Sequence, residues 1–286
     1  MRIFLAGATG VVGRLLVPEL VAAGHQVTGL IRRPEAAEGL RSQGADSVLA
    51  DIYDASAISA AVAAAAPDVV IHQLTDLANQ DYAANMEIRR TGTRNLVDAA
   101  AAAGVRKVIA QSIAWAYAPD DEGGADPATE QDPLDLEADG ARQHTVAAVS
   151  ALEDIVAEAP EWVVLRYGLF YGPGTWYTKG ALMDHAVRAG KLAPTADVTS
   201  FLHIADAATA AVQALEWPNG PVNVVDDEPV AGTVWVPAFA RSVGAPEPAA
   251  VESERTPWAR GADNHYARKH LKWEPRYPSW RSGFVA

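Results

Sequence analysis

Three glycines spaced three apart, Gly7-Ala-Thr-Gly10-Val-Val-Gly13, directly follow the apolar run Ile3-Phe-Leu-Ala6. At a strand-to-helix corner that spacing suits a dinucleotide pyrophosphate. Gly7 permits the tight turn, Gly10 lets the backbone come close to the phosphates, and Gly13 lets helix and strand pack together. The first N–H groups of the helix then face the anion, so Thr9, Val11 and Val12 join the glycines as expected cofactor contacts. At the end of the next apolar run the chain reads Leu30-Ile-Arg32-Arg33. A carboxylate there would bond a free ribose 2′-hydroxyl and repel a 2′-phosphate, whereas guanidiniums clamp the phosphate with charge-assisted bonds. NADP(H) is therefore the expected nucleotide. The plainer alternative is that Arg32 and Arg33 are solvated loop residues.

Other chemistries find less support. The 286-residue chain has no cysteine, which removes disulfides, thiolate metal sites and cysteine nucleophiles. Its seven histidines show no H-x-x-x-H or H-E-x-x-H spacing, so no metal site is expected. A nucleophile elbow of the G-x-S-x-G type is missing as well. The net charge of −13 offers no basic stripe for nucleic acid. Nothing approaches the roughly 18 apolar residues of a membrane span, and no signal-peptide pattern precedes the glycine loop. A cytoplasmic protein with a small-molecule substrate, without nucleic-acid or membrane partners, is the expectation.

The elements that must position these residues follow from apolar periodicity. Strands are expected at 2–6, 26–31, 47–50, 68–72, 107–111 and 162–167, and helices at 11–23, 55–66, 85–103 and 141–159. Strands alternating with helices of this length imply an α/β fold, a Rossmann-type doubly wound parallel sheet. Past Gly168 the rhythm changes. Gly172-Pro-Gly174 is a turn, helices are expected at 180–189, 204–215 and 232–243, and short strands at 198–203 and 221–225. Residues 1–168 thus read as a dinucleotide-binding domain. Residues 169–286 read mainly as a smaller C-terminal substrate lobe, interleaved with the core. The acidic stretch 120–140 reads as a loop, and Asp226-Asp-Glu228 as a solvated turn.

Several segments together resemble the NAD(P)-dependent epimerase/dehydratase family of extended short-chain dehydrogenases/reductases. They are the glycine loop, Val70-Ile-His72, Thr91-Gly-Thr-Arg-Asn-Leu-Val97, Gly104-Val-Arg-Lys-Val108, Leu165-Arg-Tyr-Gly168 with Tyr171-Gly-Pro-Gly174, Phe201-Leu-His-Ile-Ala-Asp206, and the closing Leu271-Lys-Trp-Glu-Pro-Arg-Tyr-Pro278. The resemblance implies adenine contacts at Asp51 and Ile52 after the third strand, although Asp51 could equally cap the next helix. Gln73, just past the fourth strand, joins the cofactor candidates. His72 and His203 match positions that read as structural. A homodimer through helices 85–103 and 141–159 is a further implication of the resemblance, permitted but not demanded by their alanine content.

The family's usual proton relay, Tyr-x-x-x-Lys with a Ser or Thr, departs here from its pattern. Aligning Glu153 with the acid that commonly follows the motif puts Thr145 at the Tyr position and Val149 at the Lys position, and helix 141–159 contains no lysine. Ile113 stands at the hydroxyl position, with Ser112 one residue earlier. A reductase would then take its proton from another group or from water. Ser112, Tyr117 and Tyr167 are the catalytic candidates, with Ser112 and Tyr167 also placed near the cofactor, and Tyr171 and His144 follow. Each tyrosine could instead be packing. Trp176 and Tyr177 either line an apolar pocket or belong to the core. The leading expectation is an NADPH-dependent reductase of a small or medium organic substrate (C=C, imine or carbonyl) with a non-standard proton donor. The first two acceptors are favoured, because a carbonyl develops an oxyanion where the Tyr should donate. The alternatives are an NADP(H)-binding protein without redox turnover and an epimerase or dehydratase with transient hydride storage.

Overall fold

Strand β1 (Arg2–Ala6) is buried along almost its whole length, as expected of an apolar run with both faces covered. The computed structural model describes residues 1–77, 80–120 and 123–284. After β1 come α1 (Gly13–Ala22), β2 (Gln26–Ile31), a 3₁₀ turn (Pro34–Ala36), α2 (Ala37–Ser42), β3 (Asp46–Leu49), α3 (Ala55–Ala65) and β4 (Val69–His72). Next are α4 (Tyr82–Glu87), a π-helical turn (Ile88–Gly92), α5 (Thr93–Ala102), β5 (Lys107–Ile113), α6 (Gly140–Val156) and β6 (Glu161–Tyr167). The chain continues with β7 (Leu169–Tyr171), α7 (Leu182–Arg188), β8 (Val198–Thr199), β9 (Phe201–His203), α8 (Ile204–Gln213) and β10 (Gly220–Val224). It closes with β11 (Val230–Ala231), α9 (Gly232–Val243), α10 (His265–Lys269) and α11 (Trp280–Gly283).

The main sheet has seven strands in the order β10-β6-β5-β4-β1-β2-β3. β1 pairs parallel with β2 and β4, and the β2–β3 and β4–β5 pairs are parallel too. This is the Rossmann-type doubly wound sheet expected from the alternating pattern. The strand expected at 221–225 within the C-terminal lobe is β10, an edge strand of this large sheet.

Two compact units divide the chain. Unit 1 comprises residues 1–112, 138–165 and 208–221, and unit 2 the remaining segments 113–137, 166–207 and 222–286. In unit 1, α3, α5 and α6 bring Ile58, Val62, Leu96, Leu152 and Val156 onto Phe4, Val70, Val108 and Val164. Asp54 caps α3 by accepting from Ala57 N–H at 3.0 Å. The helix expected at 85–103 spans α4 and α5, but the π turn interrupts it. The Lys107 ammonium is buried and donates to the carbonyls of Leu215 and Trp217 at 2.7 and 2.9 Å.

Unit 2 holds the parallel pair β7–β9 and the antiparallel pair β8–β11. Its core is aromatic. Tyr177, Phe201 and Trp235 meet edge to face, with ring centroids 5.3–5.7 Å apart. Tyr177 is therefore core, and the half-buried Trp176 packs against the same cluster. The acidic run 226–228 is a clamp instead of the solvated turn expected. Buried Asp226 accepts from Trp280 N–H at 2.7 Å, Asp227 pairs with Arg268, and Glu228 holds Ser279 and Arg281. Within the expected loop 120–140, Tyr117 bridges to Leu134 and Ala128 to Ala262, whereas Asp121 and Glu122 lie outside the described residues.

Candidate functional site

In the β1–α1 corner each glycine has its own constraint. Gly7 has φ +97°, and a Cβ there would stand 2.6 Å from the carbonyl carbon of Gln73. A Cβ on Gly13 would meet the Gly7 carbonyl oxygen at 2.2 Å, so α1 can lie this close to the loop only without a side chain. Gly10 closes the turn by donating its N–H to the Gly7 carbonyl at 3.0 Å, and it is exposed with Thr9 and Val11. No side chain caps α1. Arg14 N–H donates to the Gly10 carbonyl and Leu16 N–H to that of Val12, so the backbone that can face a pyrophosphate is the loop just before the helix, at Val11 and Val12. These residues fit a nicotinamide dinucleotide.

At the ends of β2 and β3 lie the residues read as adenosine contacts. The Arg32 side chain is 60% exposed and reaches Asp76 at 3.7 Å, and Arg33 approaches Glu35 at 3.9 Å. Exposed pairs of this length contribute little, so both guanidiniums remain available to a phosphate. Asp51 does not cap α3, a role Asp54 fills; its carboxylate accepts from Tyr53 N–H at 3.0 Å. Ile52 is buried, and its carbonyl accepts from Asn95. Gln73, also buried, donates its backbone N–H to Ala6.

Beside β4 and β5 lies a buried polar cluster. The Ser112 hydroxyl donates to Glu153 of α6 at 2.7 Å. His72 lies 3.0 Å from the Thr93 hydroxyl and accepts from Leu74 N–H at its Nδ1. Burial, helped by the nearby Arg89 charge, pulls its pKa down to about 4, so it is neutral and structural at ordinary pH. Arg89 was not singled out from sequence, yet it is only 6% exposed. The signal was its spacing, since Asn85, Ile88, Arg89, Gly92, Thr93 and Leu96 form one buried helical stripe. On α6, Val149 is fully buried, Thr145 half-buried and His144 exposed.

In unit 2 the candidate tyrosines are engaged internally. The Tyr117 hydroxyl donates to Asn223 Oδ1 at 2.6 Å and accepts from Arg166 at 2.9 Å, with the guanidinium 4.8 Å over its ring. Tyr167 donates to the Ala207 carbonyl at 3.2 Å, and Tyr171 to that of Tyr277 at 3.4 Å. His203 stacks on Tyr277 at 3.6 Å. The Ser112, Tyr117 and Tyr167 hydroxyls each have a protein acceptor within hydrogen-bond reach. A cavity of about 280 Å³ is lined by Trp115, Tyr117, Leu169, Asp197, Thr199 and Trp258, among others. Along the chain, Ala114 and Trp115 follow β5, and Gly168 and Leu169 follow β6. Asp197 carries the one formal charge in that lining.

Among the described residues no group of His, Cys, Asp and Glu could hold a metal, and no helix is long and apolar enough to cross a membrane.

The model of the NAD dependent epimerase/dehydratase family matches residues 3–225. The chain belongs to this family. Among curated family relatives, the 3-diazoavenalumate denitrifying reductase of a Streptomyces species is 43% identical, with 99% of each chain covered. WbmG of Bordetella bronchiseptica, solved with NAD and UDP, superposes with a TM-score of 0.78 at 19% identity, covering all of this chain and 93% of WbmG. The UDP-glucose 4-epimerase of Thermotoga maritima gives 0.76 at 18% identity, covering all of this chain and 96% of that one. Family membership and the reductase relative make the chain an NAD(P)-dependent oxidoreductase.

Proposed function

We propose that this family member is an NADPH-dependent reductase acting on an aromatic substrate whose acceptor takes a hydride without a proton, an aryl diazonium above all. One observation carries the reading. The Ser112, Tyr117 and Tyr167 hydroxyls are already engaged with Glu153, Asn223 and Ala207, and the resemblance puts Thr145 and Val149, neither of them a Tyr or Lys, at the relay positions. When bound, the reduced nicotinamide supplies a hydride, and hydride plus an aryl diazonium gives the arene and dinitrogen with no proton to be added. A ketone would instead leave an alkoxide in need of a donor.

The surroundings support this choice. Trp115, Tyr117 and Trp258 suit the faces of an aryl ring, and Asp197 suits a cationic head group better than an anionic one. The 43% identical relative is named for a diazo substrate and for removing its nitrogen. Arg32 and Arg33, exposed and only loosely paired with Asp76 and Glu35, support the preference for the 2′-phosphorylated nucleotide.

The test mixes purified protein, 4-deuterated NADPH and a soluble aryl diazonium, with a protein-free control. Enzyme-dependent NADPH oxidation, equimolar dinitrogen and deuterium on the arene carbon are expected. Faster turnover of ketones, or no oxidation despite tight NADPH binding, would overturn the proposal. Titration of an Arg32→Ala/Arg33→Ala variant addresses the nucleotide: NADPH should weaken roughly tenfold or more, with NADH unchanged.

A further inference from the structure

Arg89 lies in the π-helical turn between α4 and α5, is 6% exposed, and forms no hydrogen bond or ion pair through its guanidinium among the described residues. Glu153 favours its charge only from beyond contact. Burial pulls its pKa down to about 10, which still leaves it cationic at neutral pH. A buried cation without a contact partner is among the costlier arrangements a fold can hold. π turns inside α-helices recur at functional positions. Both features suggest a partner that is not part of the chain.

The sheet order says which partner. β1, with the glycine corner at its end, is flanked by β2 and β3 on one side and by β4 and β5 on the other. A dinucleotide with its pyrophosphate on the N-terminus of α1 places one nucleoside on each side. The adenosine side is taken by Arg32 at the end of β2 and by Asp51–Ile52 beyond β3. The nicotinamide nucleoside therefore falls on the β4–β5 side, where Arg89 acts on His72 at the end of β4 and on Glu153, the partner of Ser112 on β5. On α6 the position that resemblance gives to a lysine holds Val149, so that helix supplies no cation there.

We propose that Arg89 binds the nicotinamide half of the nucleotide, donating to its ribose oxygens from the π turn. This rests on the nicotinamide-cofactor reading above, and half-molecules separate the two. Wild type, Arg89→Met and Arg89→Lys would be titrated with NADPH, with reduced nicotinamide mononucleotide and with adenosine 2′,5′-bisphosphate, and melted without ligand. For Arg89→Met the expected result is at least roughly tenfold weaker binding of NADPH and the mononucleotide, with unchanged binding of the bisphosphate. Its ligand-free Tm should rise, since an unpaired buried charge is gone. Arg89→Lys should recover part of the affinity. Unchanged mononucleotide binding, equal weakening of both halves, or a lower ligand-free Tm would each overturn the assignment to Arg89. Failure of wild type to bind NADPH would overturn the cofactor reading instead.

Discussion

The β1–α1 corner and the inner face of α6 belong to one unit, yet different things fix them. In the corner the constraint is backbone against backbone, since any side chain on Gly7 or Gly13 would stand within 2.6 Å of main-chain atoms. On α6 the demand at position 149 is apolar volume, which Val149 fills as an ordinary core residue, and position 145 accepts a half-buried threonine. Nucleotide binding is thus written into the path of the chain, whereas proton chemistry hangs on side chains that the fold does not need. One can be exchanged without disturbing the other.

The contrast breaks most visibly at Gly13. Gly13→Ala should lose at least about 3 kcal/mol of stability, or fold with α1 displaced and NADPH binding undetectable, read by urea unfolding and nucleotide titration. Normal binding by this variant would show that the corner is not backbone-determined.

Buried ionisable groups give the next largest effects, with opposite signs in the two units. His72 holds a folded pKa near 4 against 6.5 when unfolded. The unfolded chain takes up the proton first, so the His72 contribution is present in full above pH 6.5 and on the order of 2–3 kcal/mol of it is lost as pH falls toward 4. In unit 2, burial pushes Asp226 up to about 8 from 3.8. The folded form keeps a proton that the unfolded chain releases, so this contribution is present at low pH and is lost as pH rises toward 8. Urea midpoints across pH should show His72→Gln flattening the acid side and Asp226→Asn the neutral-to-alkaline side.

Thr145→Val sharpens the comparison from the chemical side. If position 145 carries no proton, turnover should stay within roughly twofold of wild type, because the exchange is near-isosteric and loses only a hydroxyl. A hundredfold fall in kcat at unchanged KM would make Thr145 part of the reaction.

The smallest effect comes from the closing Leu-Lys-Trp-x-Pro segment. Lys272 adopts φ +60°, the left-handed region that glycine enters at no steric cost. Lys272→Gly should raise stability by about 0.5–1 kcal/mol, read as a small increase in Tm.

Much of this was legible in the sequence because it depends on local pattern. β1, β2, β4 and β6 announce themselves as apolar runs, and α9 begins and ends where its periodicity says. The glycine corner is equally local. The rest depends on partners distant along the chain. Nothing near Pro221 tells that β10 joins β6 at the sheet edge. The acids at 226–228 look solvated until Trp280 N–H and Arg281 arrive from the C-terminal segment. β7 is three residues long, too short for periodicity to register. The engagement of Tyr117 needs Asn223, more than a hundred residues away.

Lys107 offers a practical consequence. Its amine is occupied by the carbonyls of Leu215 and Trp217 and shielded from solvent, and that burial lowers its pKa. An acylating reagent can reach it only in molecules where the packing of β5 against the chain beyond α8 has opened. The labelling rate at this one amine is therefore a clock for partial opening of unit 1. Peptide mass spectrometry can read it on the native, untagged protein, with and without nucleotide.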